Sequence, residues 1–371
     1  MAVPLAGRIV AAVIGAVLVF TAARSVIGTV IVPRPVGSWL TRWVDKIVSF
    51  CYGIASKKIK DHKVRDRVLA GQPATILLLQ LVAWLAIFYI GFSLLQWPFT
   101  SRGITSAFDI ASPAVFGPND AFGAAQRTIA DLAAVAALVT VSLQIAYLPT
   151  LYSAYNRRET EVTLLNARAG VPSWGPELLA RTHYALGSGV STIDTLPDLY
   201  ERWERWAADV AESHTTYLPL VRFRSPKPMS SWVTALLAVL DSAALILALS
   251  PTKAPVVAAR QCLRGGFLCF GDVARAMGID IPAEPDPSAG ISITYEEFLD
   301  AVARMQKVNF PTDREPEDAW PDFVGWRVNY EQAAYALTYA LDVVPALWSG
   351  PRPNPRPQIS PIRPPEGKPP K

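Results

Sequence analysis

The sequence predicts an all-α membrane protein with three membrane-crossing helices followed by a helical cytoplasmic bundle. Residues 74–97 and 132–151 carry no charge, and each segment is long enough to cross a hydrocarbon core of ~30 Å. Hydrophobic residues make up 51% of the chain and charged residues only 18%, below the about 25% typical of soluble domains. Strand signals are few, and the apolar residues after position 156 recur at helical spacing.

The first span is predicted over residues 8–32, within an N-terminal segment 1–33. A signal peptide also begins with a basic residue and an apolar core. Here the apolar run resumes after Arg24 and continues to Val32. That continuation favours a membrane helix.

The charges of the loops predict the orientation. Residues 33–73 contain nine Lys and Arg against three Asp, whereas 98–131 contain two Arg against three Asp. The positive-inside rule therefore places 34–73 and the chain after 152 in the cytoplasm, with the N-terminus outside. The expected location is the plasma (inner) membrane, as a multi-pass protein.

The segment 34–73 is basic and amphipathic. Its apolar residues recur at helical spacing between Lys and Arg; they are Leu40, Val44, Ile47, Val48, Cys51 and Ile54. Two interpretations stay open: an interfacial helix on anionic lipid, and a solvated linker helix.

Residues 74–151 have the outline of a pore unit, with helices at 74–97 and 128–151 and a re-entrant loop at 98–127. A potassium filter needs glycines that take left-handed angles so that successive carbonyls face one axis. The filter-like segment 113–118 of this loop offers one glycine between two prolines, which disfavours a carbonyl ladder. The pore-like residues are Ser112, Pro113, Ala114, Val115, Phe116 and Gly117. Thr140, Ser142 and Gln144 of the following span are candidates to line a pore or to join helices by hydrogen bonds.

Residues 152–348 are predicted as a cytoplasmic helical domain, and 349–371 as a disordered proline-rich tail. Segment 231–249 could be a fourth span, but Asp241 at its centre favours a buried bundle helix. His214 and Arg224 are the expected partners of Asp241, in a structural or a regulatory polar cluster.

Other helices of this domain are predicted with less regular patterns. The motif 157–159 is expected to anchor the third span at the headgroups or, alternatively, to couple the domain to the membrane helices. The glycine pair 265–266 is expected to break or bend a helix. The remaining predicted helices are 160–169, 174–186, 197–214, 256–277, 295–308 and 328–347, with loops at 280–293 and 313–318.

No catalytic or metal-binding pattern stands out. Three cysteines are too few and odd in number for a disulfide framework, and the three histidines are far apart in sequence. The sequence shows no nucleotide loop, zinc signature or nucleophile elbow. The expectation is a protein without enzyme activity, cofactor, metal or nucleic-acid partner.

The chain resembles a family of actinobacterial membrane proteins described as ion-channel-like, or two-pore-domain-potassium-channel-like. The short motifs that carry the resemblance lie at 29–34 (TVIVPR), 147–149 (YLP), 157–159 (RRE), 167–172 (ARAGVP), 212–214 (ESH), 223–225 (FRS), 231–232 (SW) and 240–241 (LD). The resemblance implies a two-helix pore unit with a helical cytoplasmic domain. Family members commonly carry a Thr-Leu-Gly-Phe-Gly-like filter, which residues 112–118 lack.

Two functions therefore remain open. One is a cation channel regulated by the cytoplasmic domain, with a monovalent cation as ligand. The other is a non-conducting, membrane-tethered sensor or scaffold. Both expect the lipid bilayer and a second copy of the chain, as a dimer or tetramer, as partners.

Overall fold

The structure is a computed structural model that describes residues 5–32, 39–100, 105, 107–108, 123–184 and 192–350. Every regular element in those ranges is a helix, which confirms the all-α prediction. The α-helices are α1 (Leu5–Val30), α2 (Trp39–Lys57), α3 (His62–Leu69), α4 (Gln72–Gln96), α5 (Ala124–Ala169), α6 (Gly175–Tyr184), α7 (Leu196–Thr216), α8 (Pro219–Arg222), α9 (Trp232–Leu249), α10 (Val256–Ala276), α11 (Tyr295–Gln306) and α12 (Pro316–Ala340).

The chain divides into two compact units. Unit 1 comprises residues 1–59 and 68–153, and unit 2 comprises residues 60–67 and 154–371. The chain therefore crosses from one unit to the other three times: before α3, within the last turn of α3, and within α5.

Four helical stretches are long and apolar enough to cross a membrane: Leu5–Val30, His62–Phe99, Ala124–Ala169 and Trp232–Leu249. The first three overlap the spans predicted from the sequence, and the first of them ends at Val30. In unit 1, α4 packs along both α1 and α2.

Close packing of α1 on α4 depends on two glycines that face each other. A Cβ at Gly15 would lie 2.5 Å from the Gly91 carbonyl oxygen, and a Cβ at Gly91 would lie 2.8 Å from Val19 Cγ2. Trp84 Nε1 also donates to Ser25 Oγ at 2.9 Å, which ties α4 to α1.

The third predicted span is the beginning of a longer helix. α5 runs through Pro149, and residues 160–169, predicted as a separate helix, continue it. Proline removes one backbone N–H, but it is tolerated within membrane helices where neighbouring groups satisfy the freed carbonyl.

Unit 2 is built around α9, which contacts α6, α7, α10 and α12. Every residue of α9 is buried, as expected of a bundle helix over 231–249, although α9 is also one of the four stretches apolar enough to cross a membrane. Ser231 caps this helix by accepting a hydrogen bond from the Val233 N–H at 3.3 Å.

Two predictions for unit 2 are wrong. α10 is continuous through the glycine pair 265–266, so the predicted break does not occur. A Cβ at Gly266 would lie 2.5 Å from Leu240 Cδ2. That glycine serves close packing on α9 rather than a break. α12 begins at Pro316, inside the predicted acidic loop, because proline is favoured in the first turn of a helix.

Candidate functional site

Arg158 is fully buried in unit 2, so within the motif 157–159, predicted as a headgroup anchor or a coupling element, this side chain cannot reach headgroups. Its guanidinium donates to His214 Nε2 at 2.8 Å, to the Leu220 carbonyl at 2.9 Å and to the Phe223 carbonyl at 2.7 Å. It also donates to Glu159 Oε1 at 2.8 Å. A buried cation with this set of acceptors is fixed in position.

Aromatic rings enclose the same guanidinium. The Tyr155 ring centroid lies 5.3 Å from Arg158 Cζ, and the Trp232 centroid lies 5.9 Å from it. Trp206 Nε1 donates to the Arg158 carbonyl oxygen at 3.1 Å. Residues from α5, α7 and α9 thus converge on one side chain.

His214 is neutral in this setting. An arginine can only donate, so Nε2 of His214 accepts from Arg158, and the ring proton lies on Nδ1, which is 3.0 Å from Ser213 Oγ. Burial, followed by the charge of Arg158, lowers the pKa of His214 well below its usual value. Protonation would remove the acceptor on which Arg158 depends.

Arg224 holds α3 within unit 2. Its Nη1 donates to Asp66 Oδ1 at 2.7 Å and to the Asp342 carbonyl at 3.1 Å, while its Nη2 donates to the Leu341 carbonyl. Arg65 of α3 pairs with the Asp342 carboxylate at 2.7 Å. One charge pair therefore fastens the short helix α3 to Arg224, just after α8, and the other fastens it to Asp342, just after α12.

His62, at the start of α3, lies in the field of these charges. Neither of its ring nitrogens has a hydrogen-bond partner among the described residues. Burial lowers the pKa of His62; Arg65 and Arg224 also lower it, against the carboxylates of Asp342 and Asp66. The neutral ring is therefore favoured.

The two arginine sites share the segment 220–225. Phe223 accepts from Arg158 on α5, and the next residue, Arg224, binds Asp66 on α3. Tyr155 Oη of α5 donates to the Arg224 carbonyl at 3.1 Å. We call the six residues Arg65, Asp66, Arg158, His214, Arg224 and Asp342 the junction cluster.

Asp241 belongs to a different cluster, and both partners predicted for it are wrong. Its Oδ1 accepts from Arg327 Nη1 and, at 2.9 Å, from the Tyr330 hydroxyl. Arg327 also donates to Glu331 Oε2 at 2.6 Å and to the Trp348 carbonyl at 2.6 Å. Burial raises the pKa of Asp241 to about 6, against the opposing effect of Arg327, so the carboxylate is ionised at neutral pH.

The predicted polar cluster is therefore divided among three sets of partners. His214 contacts Arg158, Arg224 contacts Asp66, and Asp241 contacts Arg327. Sequence reasoning missed Arg327, which lies far along the chain from Asp241. The available signal was its position four residues before Glu331, the spacing of a helical ion pair.

The predicted pore-lining residues do not share one face of α5. Thr140 and Gln144 are buried, whereas Ser142 is exposed. Thr140 Oγ1 donates to the Ala136 carbonyl of its own helix at 2.7 Å. The pore-like residues Ser112, Pro113, Ala114, Val115, Phe116 and Gly117 lie outside the described residues.

Among the residues that the structure describes, no group of three or more His, Cys, Asp and Glu could hold a metal ion. The chain matches no family model, no curated protein and no solved structure.

Proposed function

We propose that this chain is a membrane-anchored regulatory protein. Its unit 1 is embedded in the bilayer, and its unit 2 is a cytoplasmic sensor or scaffold domain coupled to unit 1 through the junction cluster. The observation that carries the proposal is that segment 220–225 binds both α3 and the unit 2 part of α5. These are the two chain segments through which unit 2 is joined to unit 1.

The membrane placement is supported by the apolar surface of unit 1. α1 has seven large apolar side chains that are at least half exposed: Leu5, Ile9, Val10, Val13, Ile14, Val17 and Phe20. Contiguous apolar exposure of this kind marks a membrane or protein contact. The basic residues of 33–73 support a cytoplasmic position for α3 and hence for unit 2.

The coupling follows from covalent connectivity and charge. α3 is held in unit 2 by Arg224 and Asp342, while both of its ends continue into unit 1. A ligand or proton that rearranges segment 220–225 would therefore pull on both connections at once. This is how a local change in a switch element biases a distant region.

Hydrogen exchange measured by mass spectrometry on the full-length protein in lipid nanodiscs tests the coupling. With Asp66→Asn, we expect faster exchange in α3 and segment 220–225, and also at the adjoining ends of α4 and α5. Arg157→Ala, which removes an exposed pair with Asp209, is the matched control and should leave those ends unchanged. Faster exchange restricted to α3 and 220–225 would show that unit 2 is not coupled to unit 1.

A second candidate function, cation conduction, is favoured by unpaired polar atoms within unit 1. Both amide atoms of Gln96 and Oε1 of Gln144 are buried without a partner among the described residues. In a bilayer such groups need water or a second chain to satisfy them. A water-filled path, or a homo-oligomer around one, would supply both.

Flux of K⁺ and Na⁺ from proteoliposomes tests conduction. A conducting protein should release either ion faster than empty vesicles do, and Gln144→Leu should reduce that release. Release equal to that of empty vesicles, for both ions and across pH, rules out the channel and leaves the coupled regulatory protein.

A further inference from the structure

α2 presents an exposed apolar stripe on one face. Its members are each more than half exposed, and they follow one another at intervals of three or four residues: Trp39, Trp43, Ile47, Phe50 and Ile54. Residues at this spacing form a single line along a helix. Two tryptophans, a phenylalanine and two isoleucines in one line make a surface that water covers poorly.

The opposite face of α2 is fixed to α4. Val44 and Val48 are buried together with Ile76 of α4. Tyr52 Oη lies 2.8 Å from Thr75 Oγ1, and Gln72 Nε2 donates to Ser49 Oγ at 3.0 Å. Because apolar and polar contacts both hold this face, the stripe cannot turn inward without breaking them.

Basic residues accompany the stripe and point to its occupant. Lys46 lies next to Ile47 and is exposed. Lys57 is the last residue of the helix, Lys58 follows it, and both are exposed. Tryptophan prefers the headgroup region of a bilayer, and lysine there is attracted to anionic lipid. A second copy packed stripe to stripe would bring like charges together, so charge favours lipid over self-association.

We propose that α2 lies in the headgroup region of the bilayer, with the stripe of Trp39, Trp43, Ile47, Phe50 and Ile54 in the acyl boundary and its lysines bound to anionic lipid headgroups. The inference rests on the membrane placement of unit 1 proposed above. It goes beyond that placement by assigning a lipid class and a binding face to a helix that is not one of the four candidate spans.

Depth-dependent fluorescence quenching of the full-length protein in nanodiscs tests this assignment. Cys51 is exposed, whereas Cys262 and Cys269 are buried, so Cys51→Ala provides a background for labelling one introduced cysteine. A bimane label is placed by Phe50→Cys on the stripe, by Val13→Cys on α1, or by Lys58→Cys at the basic end of α2.

We expect the label at position 50 to be quenched at least twofold more by lipid spin-labelled near the headgroup than by lipid spin-labelled near the chain end. With lipid spin-labelled near the headgroup, the label at position 58 should be quenched less than the label at position 50. Quenching at 13 but not at 50 overturns the proposal while membrane placement stands. Crosslinking between two chains through Phe50→Cys also overturns it, in favour of a second copy. Absence of quenching at both 13 and 50 overturns the placement of unit 1 itself.

The anionic preference has its own test. Nanodiscs of mixed phosphatidylglycerol and phosphatidylcholine are prepared with wild-type protein and with the triple variant Lys46→Gln, Lys57→Gln and Lys58→Gln, and retained lipid is counted by native mass spectrometry. We expect retained phosphatidylglycerol to fall at least twofold in the variant, with phosphatidylcholine unchanged. Equal phosphatidylglycerol in both proteins overturns the assignment of anionic lipid.

Discussion

Helices α1 and α9 are equally hydrophobic, but α1 is mostly exposed in the structure and α9 is fully buried. Both reach a mean hydropathy of 2.2 over an 18-residue window, yet 11% of that window is buried in α1 and 100% in α9. Hydropathy measures what a helix would gain by leaving water. It does not say whether lipid or protein takes the place of water.

What differs is the set of helices around each. In unit 2, α7, α10 and α11 are amphipathic, and the apolar face of each is buried in the core that contains α9. α1 contacts α4 along one side and leaves most of its circumference open. Whether an apolar helix is buried within the protein therefore depends on whether its neighbours present apolar faces to it.

The largest effect is expected where a charge inside α9 loses its partner. In Arg327→Met, the Asp241 carboxylate stays buried with only the Tyr330 hydroxyl to satisfy it, so we expect unit 2 to lose about 3–5 kcal/mol of stability. Denaturation of the full-length protein in detergent, followed by tryptophan fluorescence, measures the loss.

The double variant Asp241→Asn with Arg327→Met separates charge from packing. Because it removes the charges of Asp241 and Arg327 and leaves only Glu331 without its cation, it should recover part of the loss. If the double variant is less stable than Arg327→Met alone, the carboxylate is not the source of the cost.

A matched pair of leucines tests the comparison directly. Leu245 of α9 is fully buried, whereas Leu138 of α5 is 68% exposed. We expect Leu245→Ala to cost about 2–5 kcal/mol, by lost burial and an added cavity, and Leu138→Ala to cost within about 0.5 kcal/mol. Thermal unfolding of both variants in the same detergent provides the measurement, and equal costs would mean that the two helices do not differ in environment.

The third prediction concerns pH and the neutral His214. The unfolded chain takes up a proton near pH 6.5, whereas burial and Arg158 keep the native ring from doing so. The contribution of His214 to stability is therefore complete above pH 6.5 and is lost as the pH decreases below that value. We expect this one group to lower the free energy of unfolding by about 2 kcal/mol between pH 7 and pH 5.

The variant His214→Gln isolates that contribution. Asp241, whose burial raises its pKa to about 6, gains stability in the opposite direction on acidification, and His62 also titrates. Both groups are present in both proteins, so their effects cancel in the difference. Parallel pH profiles for wild type and variant would show that His214 does not link unfolding to proton uptake.

Much of the fold was predictable because it depends on local patterns. The uncharged segments, the proline at the start of α7 and the spacing of Leu199, Trp203, Trp206 and Val210 each act over a few residues. The continuity of α10 through its glycine pair was not predictable, because the role of Gly266 depends on its contact with Leu240 of another helix.

The contacts of the candidate site were harder to predict from the sequence than the fold. Asp241 was recognised as a buried charge that needs a partner, but the choice among arginines depends on which helices meet. Arg327 and Tyr330 come from α12, whereas His214 and Arg224 serve α5 and α3. Sequence alone shows that a charge must be compensated and cannot show by which residue.

The smallest effect is expected at Arg157, the neighbour of Arg158. Its guanidinium forms two hydrogen bonds with Asp209, at 2.9 and 3.1 Å, but its side chain is 55% exposed. Exposed pairs contribute about 0.2–1 kcal/mol, and salt screens them. Arg157→Ala should therefore lower stability only slightly at low ionic strength and not at all in about 1 M salt.

Arg158→Met, one residue on, should lower stability several-fold more at either salt concentration, because water and ions do not reach a fully buried guanidinium. Unfolding of both variants at the two salt concentrations measures the contrast, and a salt-dependent loss for Arg158→Met would place that side chain in solvent.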